Sequence, residues 1–293
     1  MKRAAWHLLA VLAVAGCFFA NWRLAERRHA REAAERLARL GELGISGDGE
    51  SAYVALPRAL PVRERVALVG ENLFHCARFG LADDRACGTC HALSSGGADG
   101  NIHGGRPTRP ICDVSLQKVF LHDGSETNLA AVVRRMIHGK DFIAFPAEWE
   151  LRGRVGGGLR MGADFAAAFG ADWGEDEVLA ALCEYPRTLL TSQTAYDEFR
   201  NGHASALGRE ARRGFDEFRD LACIRCHSGP AMGGERAEAG VKVPALRGLS
   251  RRPAQFLGGR RCADLGEAAD AMPGVKRLSE SRRRDLLAFL RTL

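Results

Sequence analysis

The sequence predicts an all-α protein built from two tandem domains. Helix-forming residues (Ala, Leu, Arg and Glu) dominate long stretches of the 293-residue chain, whereas β-branched runs are short and only 7% of the residues are aromatic. With 46% hydrophobic residues, the chain can bury a sizeable core. Motifs that recur at one fixed spacing indicate that the chain contains two copies of one unit.

The N-terminus carries an export segment, which we place at residues 1–22. Lys2 and Arg3 precede an apolar run from Ala4 to Ala20, the charged-then-apolar order of a signal sequence. Two interpretations stay open: residues 14–17 form a lipobox in which Cys17 is lipidated, or the run stays uncut as a membrane anchor. Both place the rest of the chain in the periplasm, tethered to a membrane through the N-terminus. Cleavage of the signal would instead release it there.

Residues 23–61 follow as a helical spacer and a Gly/Ser loop. The net charge of +6 lies largely on Arg-rich helical faces at 209–219 and 282–284. No aromatic residues interleave with these charges, and no nucleic-acid-binding motif accompanies them. We therefore expect solvated helix surfaces and no binding of nucleic acid.

The motif Cys-x-x-Cys-His occurs twice, at Cys87/Cys90/His91 and at Cys223/Cys226/His227. Two thiols three positions apart on one helical turn can form thioethers to both vinyl groups of haem, and the following histidine then binds the iron. A zinc ribbon would need a second Cys-x-x-Cys pair in the same small unit. A thioredoxin-like dithiol would need a βαβ setting. The motifs therefore predict two covalently bound c-type haems.

The two motifs lie 136 residues apart, and the same offset recurs downstream. Residues 120–136 align with residues 256–272 without gaps, so that each motif is followed by a methionine at the same distance, Met136 or Met272. This is the pattern of a duplicated unit. We predict two cytochrome c-like domains, each wrapped around one haem, at 62–168 and 169–293.

A methionine thioether is a natural second axial ligand of haem iron, because it favours the ferrous state. Met272 precedes Pro273-Gly274, where the chain can turn toward a haem, and we expect it to bind iron. Met136 lies within an apolar helical stretch, which favours core packing. Ligation by Met136 is the alternative.

Four cysteines lie outside these motifs and the export segment. Cys183 sits in an apolar helical stretch and is predicted to be a buried thiol. Export favours disulfides, so a bond among Cys76, Cys112 and Cys262 is left open.

The segments around both motifs resemble the bacterial di-haem cytochrome c peroxidases and the related MauG-type enzymes. The resemblance covers roughly residues 63–293, and it is carried by "GENLF" at residue 70, "PRTLLTSQTAYDEFRNG", "KVPALRGL" and the closing helix, in the family's order. It implies a periplasmic enzyme with two unequal haems. The C-terminal haem would accept electrons, with Met272 at the ligand position where MauG-type proteins carry Tyr. The N-terminal haem would react with peroxide.

The resemblance also gives His103 a role. It falls in the loop whose histidine caps the N-terminal haem in resting peroxidases and leaves on activation. Glycines surround His103, and they would let such a loop bind in one state and withdraw in another. The removable sixth ligand is our interpretation, and an exposed loop histidine is the alternative.

Several family positions differ in this chain. His122 replaces a Trp placed between the haems, and the catalytic Gln/Glu pair falls near Val132 and Phe142. Breaking an O–O bond needs a group that moves a proton, so we consider three residues instead. These are Asp141, His138 and Glu148. The Asn that helps to hold an interdomain calcium falls near Cys112, which argues against calcium.

The leading hypothesis is a di-haem cytochrome c peroxidase. It would take electrons from a small cytochrome c or cupredoxin and reduce hydrogen peroxide to water. The first alternative is a non-catalytic di-haem electron-transfer protein, in which Met136 closes the first haem. The second is a MauG-like oxidase acting on a protein partner. A homodimer is left open.

Overall fold

The computed structural model describes residues 53, 55–79, 84–139, 152–154 and 159–293. All of these lie in one unit, Ser46–Leu293. The export segment 1–22 with Cys17, and the candidate residues Asp141 and Glu148, lie outside the described residues. Among the described residues, no helix combines the length and the apolar character that crossing a bilayer requires.

The architecture is helical, which confirms the predicted all-α class. Three short antiparallel hairpins interrupt the helices. The hairpin strands are β1 Ile102–His103 with β2 Arg106–Pro107, β3 Ala237–Glu238 with β4 Val241–Lys242, and β5 Gln255–Leu257 with β6 Arg260–Cys262. The α-helices are α1 Glu64–Phe74, α2 Cys87–Cys90, α3 Leu129–His138, α4 Leu159–Phe169, α5 Glu175–Glu184, α6 Ala195–Arg200, α7 Arg209–Asp220, α8 Leu265–Asp270 and α9 Glu280–Leu290.

The internal repeat is visible in how α3 and α8 begin. Their first residues, Leu129 and Leu265, are 136 positions apart. Each helix is capped by the preceding side chain, which accepts a hydrogen bond from a backbone N–H of the first turn: Asn128 at 2.9 Å and Asp264 at 2.8 Å. Equivalent helices thus start with equivalent caps.

The N-terminal core packs α1 against α4 and α5. Its fully buried members include Leu73, Phe165 and Val178, and Trp173 stacks on Phe165 at 4.2 Å between ring centroids. Because α5 belongs to this core, its packing favours a domain boundary C-terminal to Glu184. The predicted boundary between residues 168 and 169 stays a prediction.

The C-terminal core packs α7 against α9 around Phe218 and Phe289. The two helices meet at Gly214, where a Cβ atom would lie 1.8 Å from the carbonyl oxygen of Asp285. A buried ion pair joins this core to the loop after the second motif, since Arg247 Nη1 lies 2.7 Å from Asp197 Oδ1 and neither side chain is exposed. That ion pair fixes the loop that carries residue 244.

The two motif loops are joined by backbone hydrogen bonds. The N–H groups of Lys118 and Val119 both donate to the Gly234 carbonyl at 2.9 Å, and the N–H of Lys242 donates to the His122 carbonyl at 2.8 Å. The segment that follows the first motif therefore lies against the hairpin that follows the second.

The glycine-rich loop around His103 forms the β1–β2 hairpin, whose two-residue turn needs the positive φ angles of Gly104 and Gly105.

The eight cysteines of the described residues are all free, so no disulfide joins Cys76, Cys112 or Cys262. Cys183 is half-buried, and burial raises the pKa of its thiol to about 11.

We expect Gly214→Ala to lower the free energy of unfolding by about 1–3 kcal/mol, because the added methyl group forces α7 away from α9. Denaturant titration of the haem-loaded protein measures the change. Gly153→Ala, where a Cβ would meet nothing within 4 Å, is the matched control and should stay within about 0.5 kcal/mol of the parent. Equal effects of the two substitutions would contradict the close helix contact.

Candidate functional site

The first motif places its histidine against a backbone carbonyl. Cys87–Cys90 form the single helical turn α2, and the His91 N–H bonds back to the Cys87 carbonyl at 2.9 Å. The His91 ring then meets the returning loop, where its Nδ1 lies 3.1 Å from the Gly97 carbonyl oxygen. Donation from Nδ1 leaves the lone pair on Nε2, the atom that can bind a metal.

The second motif repeats this arrangement. The His227 N–H bonds to the Cys223 carbonyl at 2.9 Å, and Nδ1 of its ring lies 3.1 Å from the Pro244 carbonyl oxygen. Gly233 makes this approach possible, because a Cβ atom there would lie 2.2 Å from the same Pro244 oxygen. Burial lowers the pKa of both His91 and His227, which favours the neutral ring that a metal needs.

The motif thiols are unlike those of a redox dithiol. Burial raises the pKa of Cys87 and of Cys223 to about 11, and it also raises the pKa of Cys90. Reactive Cys-x-x-Cys pairs carry a thiol whose pKa is lowered. These thiols therefore fit covalent attachment better than disulfide exchange.

The residues present fit two c-type haems. Each motif supplies two thiols on one short turn, followed by a neutral, half-buried or buried imidazole with its proton on Nδ1. These are the attachment points and the proximal ligand that such a cofactor requires. Cys87, Cys90 and His91 would hold one haem, and Cys223, Cys226 and His227 the other.

His103 lies in strand β1, half-exposed, with its Nε2 2.6 Å from Oδ2 of Asp99. Burial alone would raise the pKa of Asp99, but hydrogen bonds from His103, Asn101 and Thr108 lower it well below its usual value. One Nε2 cannot serve both this carboxylate and a metal, so ligation through Nε2 requires the Asp99 contact to break.

His103, Asp99 and Cys90 also bring their ligand atoms within 4.8 Å of one another. Three such groups could hold a zinc ion. A Cys90 thioether to haem would remove the thiolate from that set, so the two uses of Cys90 compete. A measurement of covalently bound haem at Cys90 distinguishes them.

The two repeat methionines differ in setting. Met272 follows the end of α8 and packs partly buried on the C-terminal core, which also contacts Cys223. Met136 lies within α3, half-buried, two residues before the helix ends. The loop position predicted for Met272 and the helical position predicted for Met136 are both observed, while their ligation stays a prediction.

His138 lies at the exposed end of α3, where its Nε2 is 3.1 Å from Glu175 Oε1. Arg134 binds the same carboxylate at 3.0 Å. These contacts join α3 to α5, so His138 has a structural role. Its catalytic role stays a prediction. Asp141 and Glu148, the other two acid/base candidates, fall outside the described residues.

His122 stands where the family resemblance placed a Trp. Its Nε2 lies 2.9 Å from the Pro107 carbonyl oxygen, and its own carbonyl accepts from the N–H of Lys242. Two half-buried arginines, Arg109 and Arg252, lie in this region. The sequence did not predict their burial or that of Lys242, because basic residues in loops and short hairpins are usually solvated. No local pattern distinguishes a buried arginine in a loop from an exposed one.

Residues 63–205 match the family model described as di-haem cytochrome c peroxidase. The methylamine utilization protein MauG of Methylorubrum extorquens is 28% identical to this chain, and the match covers 81% of this chain and 80% of that protein. The cytochrome c551 peroxidase of Nitrosomonas europaea is 24% identical, with coverages of 80% and 81%.

Solved structures share the fold. A MauG-like protein associated with microbial copper homeostasis superimposes with a TM-score of 0.70 at 18% identity, covering 82% of this chain and 93% of that one. The di-haem peroxidase BthA of Burkholderia thailandensis gives a TM-score of 0.63 at 16% identity, with coverages of 80% and 86%.

We expect Cys87→Ala/Cys90→Ala and Cys223→Ala/Cys226→Ala each to remove one covalent haem, because each pair alone supplies the thioethers of its motif. Intact-protein mass and the pyridine haemochrome band count the haems per chain. Cys183→Ala, a half-buried thiol outside both motifs, is the control and should keep both. A parent protein that carries bound zinc in place of haem would contradict the assignment.

Proposed function

Because this chain belongs to the di-haem cytochrome c peroxidase and MauG family, we propose that it is an exported peroxidase with two covalent c-type haems. It reduces hydrogen peroxide to water with electrons from a small periplasmic cytochrome c or cupredoxin. The observation that carries the proposal is the unequal pair of sites: two matching histidine–carbonyl arrangements, with a loop methionine only after the second. When bound, c-type haem supplies one-electron transfer and, at an iron with an open coordination position, a place for peroxide to be reduced.

The proximal histidines make their sites suited to redox chemistry. A hydrogen bond from Nδ1–H to a carbonyl increases the basicity of Nε2 and holds the ring in one orientation. His91 and His227 both have that bond, at 3.1 Å. The proximal histidines of the two sites are therefore equivalent, and the sites differ in the second axial ligand that each would offer the iron.

Met272 supplies that difference at the C-terminal site. A thioether ligand favours ferrous iron and raises the reduction potential. The turn after α8 lets this side chain leave the helix while it stays packed on the C-terminal core. We assign electron entry to this site.

The ligand atoms of His103 and Asp99 lie within 4.8 Å of the sulfur of the N-terminal motif cysteine Cys90. Reducing peroxide consumes two protons for each O–O bond broken, so a proton-moving group is needed. His103 Nε2 lies 2.6 Å from Asp99 Oδ2, so binding a metal through Nε2 would require this hydrogen bond to break. We assign it the roles of removable ligand and candidate proton carrier.

A MauG-like oxidase acting on a protein partner is the second candidate. The 28% identity to MauG over four-fifths of both chains favours it. The methionine at position 272 opposes it, since MauG-type proteins carry Tyr there. A non-catalytic electron relay is the third candidate, and it requires Met136 to close the first site.

We expect the reduced protein to consume hydrogen peroxide catalytically, with a turnover of about 1–10³ per second, the usual enzymatic range. Stopped-flow absorbance with a reduced small cytochrome c as donor measures this rate. If peroxide oxidises the reduced cytochrome c no faster with the protein present than without it, the non-catalytic relay is favoured.

We expect His103→Ala to change the resting spectrum of the N-terminal haem from low-spin to high-spin, because the sixth ligand is removed. His203→Ala is the matched control, since His203 is also exposed and also bonded to a carboxylate at 2.6 Å, that of Glu198. Low-temperature EPR of the oxidised proteins reports the spin state. An unchanged His103→Ala spectrum would refute this role.

We expect Met272→Leu to lower the reduction potential of one haem while Met136→Leu leaves both potentials unchanged. Leucine preserves apolar volume at both positions, so the comparison isolates the thioether. Optical redox titration measures the potentials, and the near-infrared band of thioether-ligated ferric haem should disappear only in Met272→Leu. The opposite pattern would make Met136 the ligand.

A further inference from the structure

Three basic residues lie where the two motif loops join. Arg109 Nη2 and the Lys242 N–H both donate to the carbonyl oxygen of His122, at 3.3 and 2.8 Å. Arg252 lies against the first motif loop, where a Cβ atom on Gly96 would be 3.7 Å from its Cγ, and like Arg109 it lowers the pKa of Lys242 by repulsion. We call Arg109, Lys242 and Arg252 the central cation cluster.

The cluster has no carboxylate partner. None of its three members forms an ion pair among the described residues, and Nε of Arg109 and Nε of Arg252 are buried without a hydrogen-bond partner. Lys242 is only 7% exposed, and its Nζ contacts the Gln117 amide oxygen at 2.5 Å and the face of Phe120 at 5.6 Å. Burying positive charge without a counter-charge is costly.

The acid that acts on the cluster, Asp113, does not compensate for its charge. Asp113 acts on Arg252 electrostatically, but both of its oxygens bind Thr191, one through the backbone N–H at 2.8 Å and the other through the hydroxyl. Burial, followed by repulsion from the two arginines, lowers the pKa of Lys242 to about 7. Three neighbouring basic residues without a carboxylate partner indicate a site that suits an anion.

The cluster is placed beside both proximal histidines. The backbone of Arg109 lies near enough to the His91 ring to raise its pKa, and Arg252 lowers the pKa of His227 by repulsion. Lys242 lies two residues before Pro244, whose carbonyl accepts from His227. An anion held here would lie between the two motifs and next to each of them.

We propose that the central cation cluster binds the propionate carboxylates of the haems where the two cofactor sites meet. The inference rests on the proposed function, because it needs haem at both motifs. Guanidinium groups bind carboxylates through paired N–H donors, and the unsatisfied Nε atoms of Arg109 and Arg252 are such donors. Fixed positive charge at this point would also repel a calcium ion.

The test variants are Lys242→Met and Arg252→Met. Arg251→Met is the control for arginine, because Arg251 is the exposed neighbour of Arg252 and its loss removes the same charge. Lys118→Met is the control for lysine, since Lys118 is exposed and already paired with Glu235. Optical redox titration of the haem-loaded proteins gives the potentials, and resonance Raman spectra give the propionate bending bands.

Loss of a cation beside a propionate favours ferric iron. We expect Lys242→Met and Arg252→Met to lower the ferrous-to-ferric ratio of at least one haem about tenfold at fixed potential, ~59 mV for a one-electron couple. The propionate bands should shift in the same variants and stay unchanged in both controls. Lys242→Arg retains the charge and should keep the parental potentials, so a fall in that variant contradicts the proposal.

The outcomes separate the two proposals. Parental potentials and bands in Lys242→Met and Arg252→Met, with haem present at both motifs, overturn the cluster's role and leave the proposed function standing. Shifts as large in Arg251→Met as in Arg252→Met also overturn it, because the effect would then be general electrostatics. A parent protein without haem overturns both.

Discussion

The hydrogen bond from a histidine Nδ1 to a backbone carbonyl is the interaction on which both sites depend. It fixes the proton on Nδ1 and leaves Nε2 as a ligand atom. Each motif is one short turn that cannot orient its own histidine, so the returning loop has to bring a carbonyl back. The first loop does this with Gly97 and the second with Pro244.

The rest of the molecule holds those carbonyls in place. The Arg247–Asp197 ion pair fixes the second loop to the C-terminal core, and Gly233 leaves room for the Pro244 oxygen. The backbone bonds from Lys118 and Val119 to Gly234 join the two loops. The junction so formed concentrates positive charge, which suits a pair of anionic cofactors brought close together.

Much of the fold and part of the site could be predicted from the sequence. The helical class follows from composition, and the 136-residue offset predicts equivalent helices that the caps Asn128 and Asp264 confirm. The setting of Met272 followed from Pro273-Gly274 alone. The β1–β2 hairpin was missed, because the glycines around His103 were interpreted as freedom when Gly104-Gly105 form a two-residue turn. The central cation cluster and the membership of α5 in the N-terminal core depend on long-range packing, which no local pattern encodes.

We propose that the chain carries two haems, of which only the first can open to peroxide. The decisive measurement is low-temperature EPR of the protein reduced by one electron, before and after addition of peroxide. We predict that the ferric signal left after one-electron reduction is high-spin and that peroxide consumes it. Ferric signals that stay low-spin and do not respond to peroxide would contradict the claim.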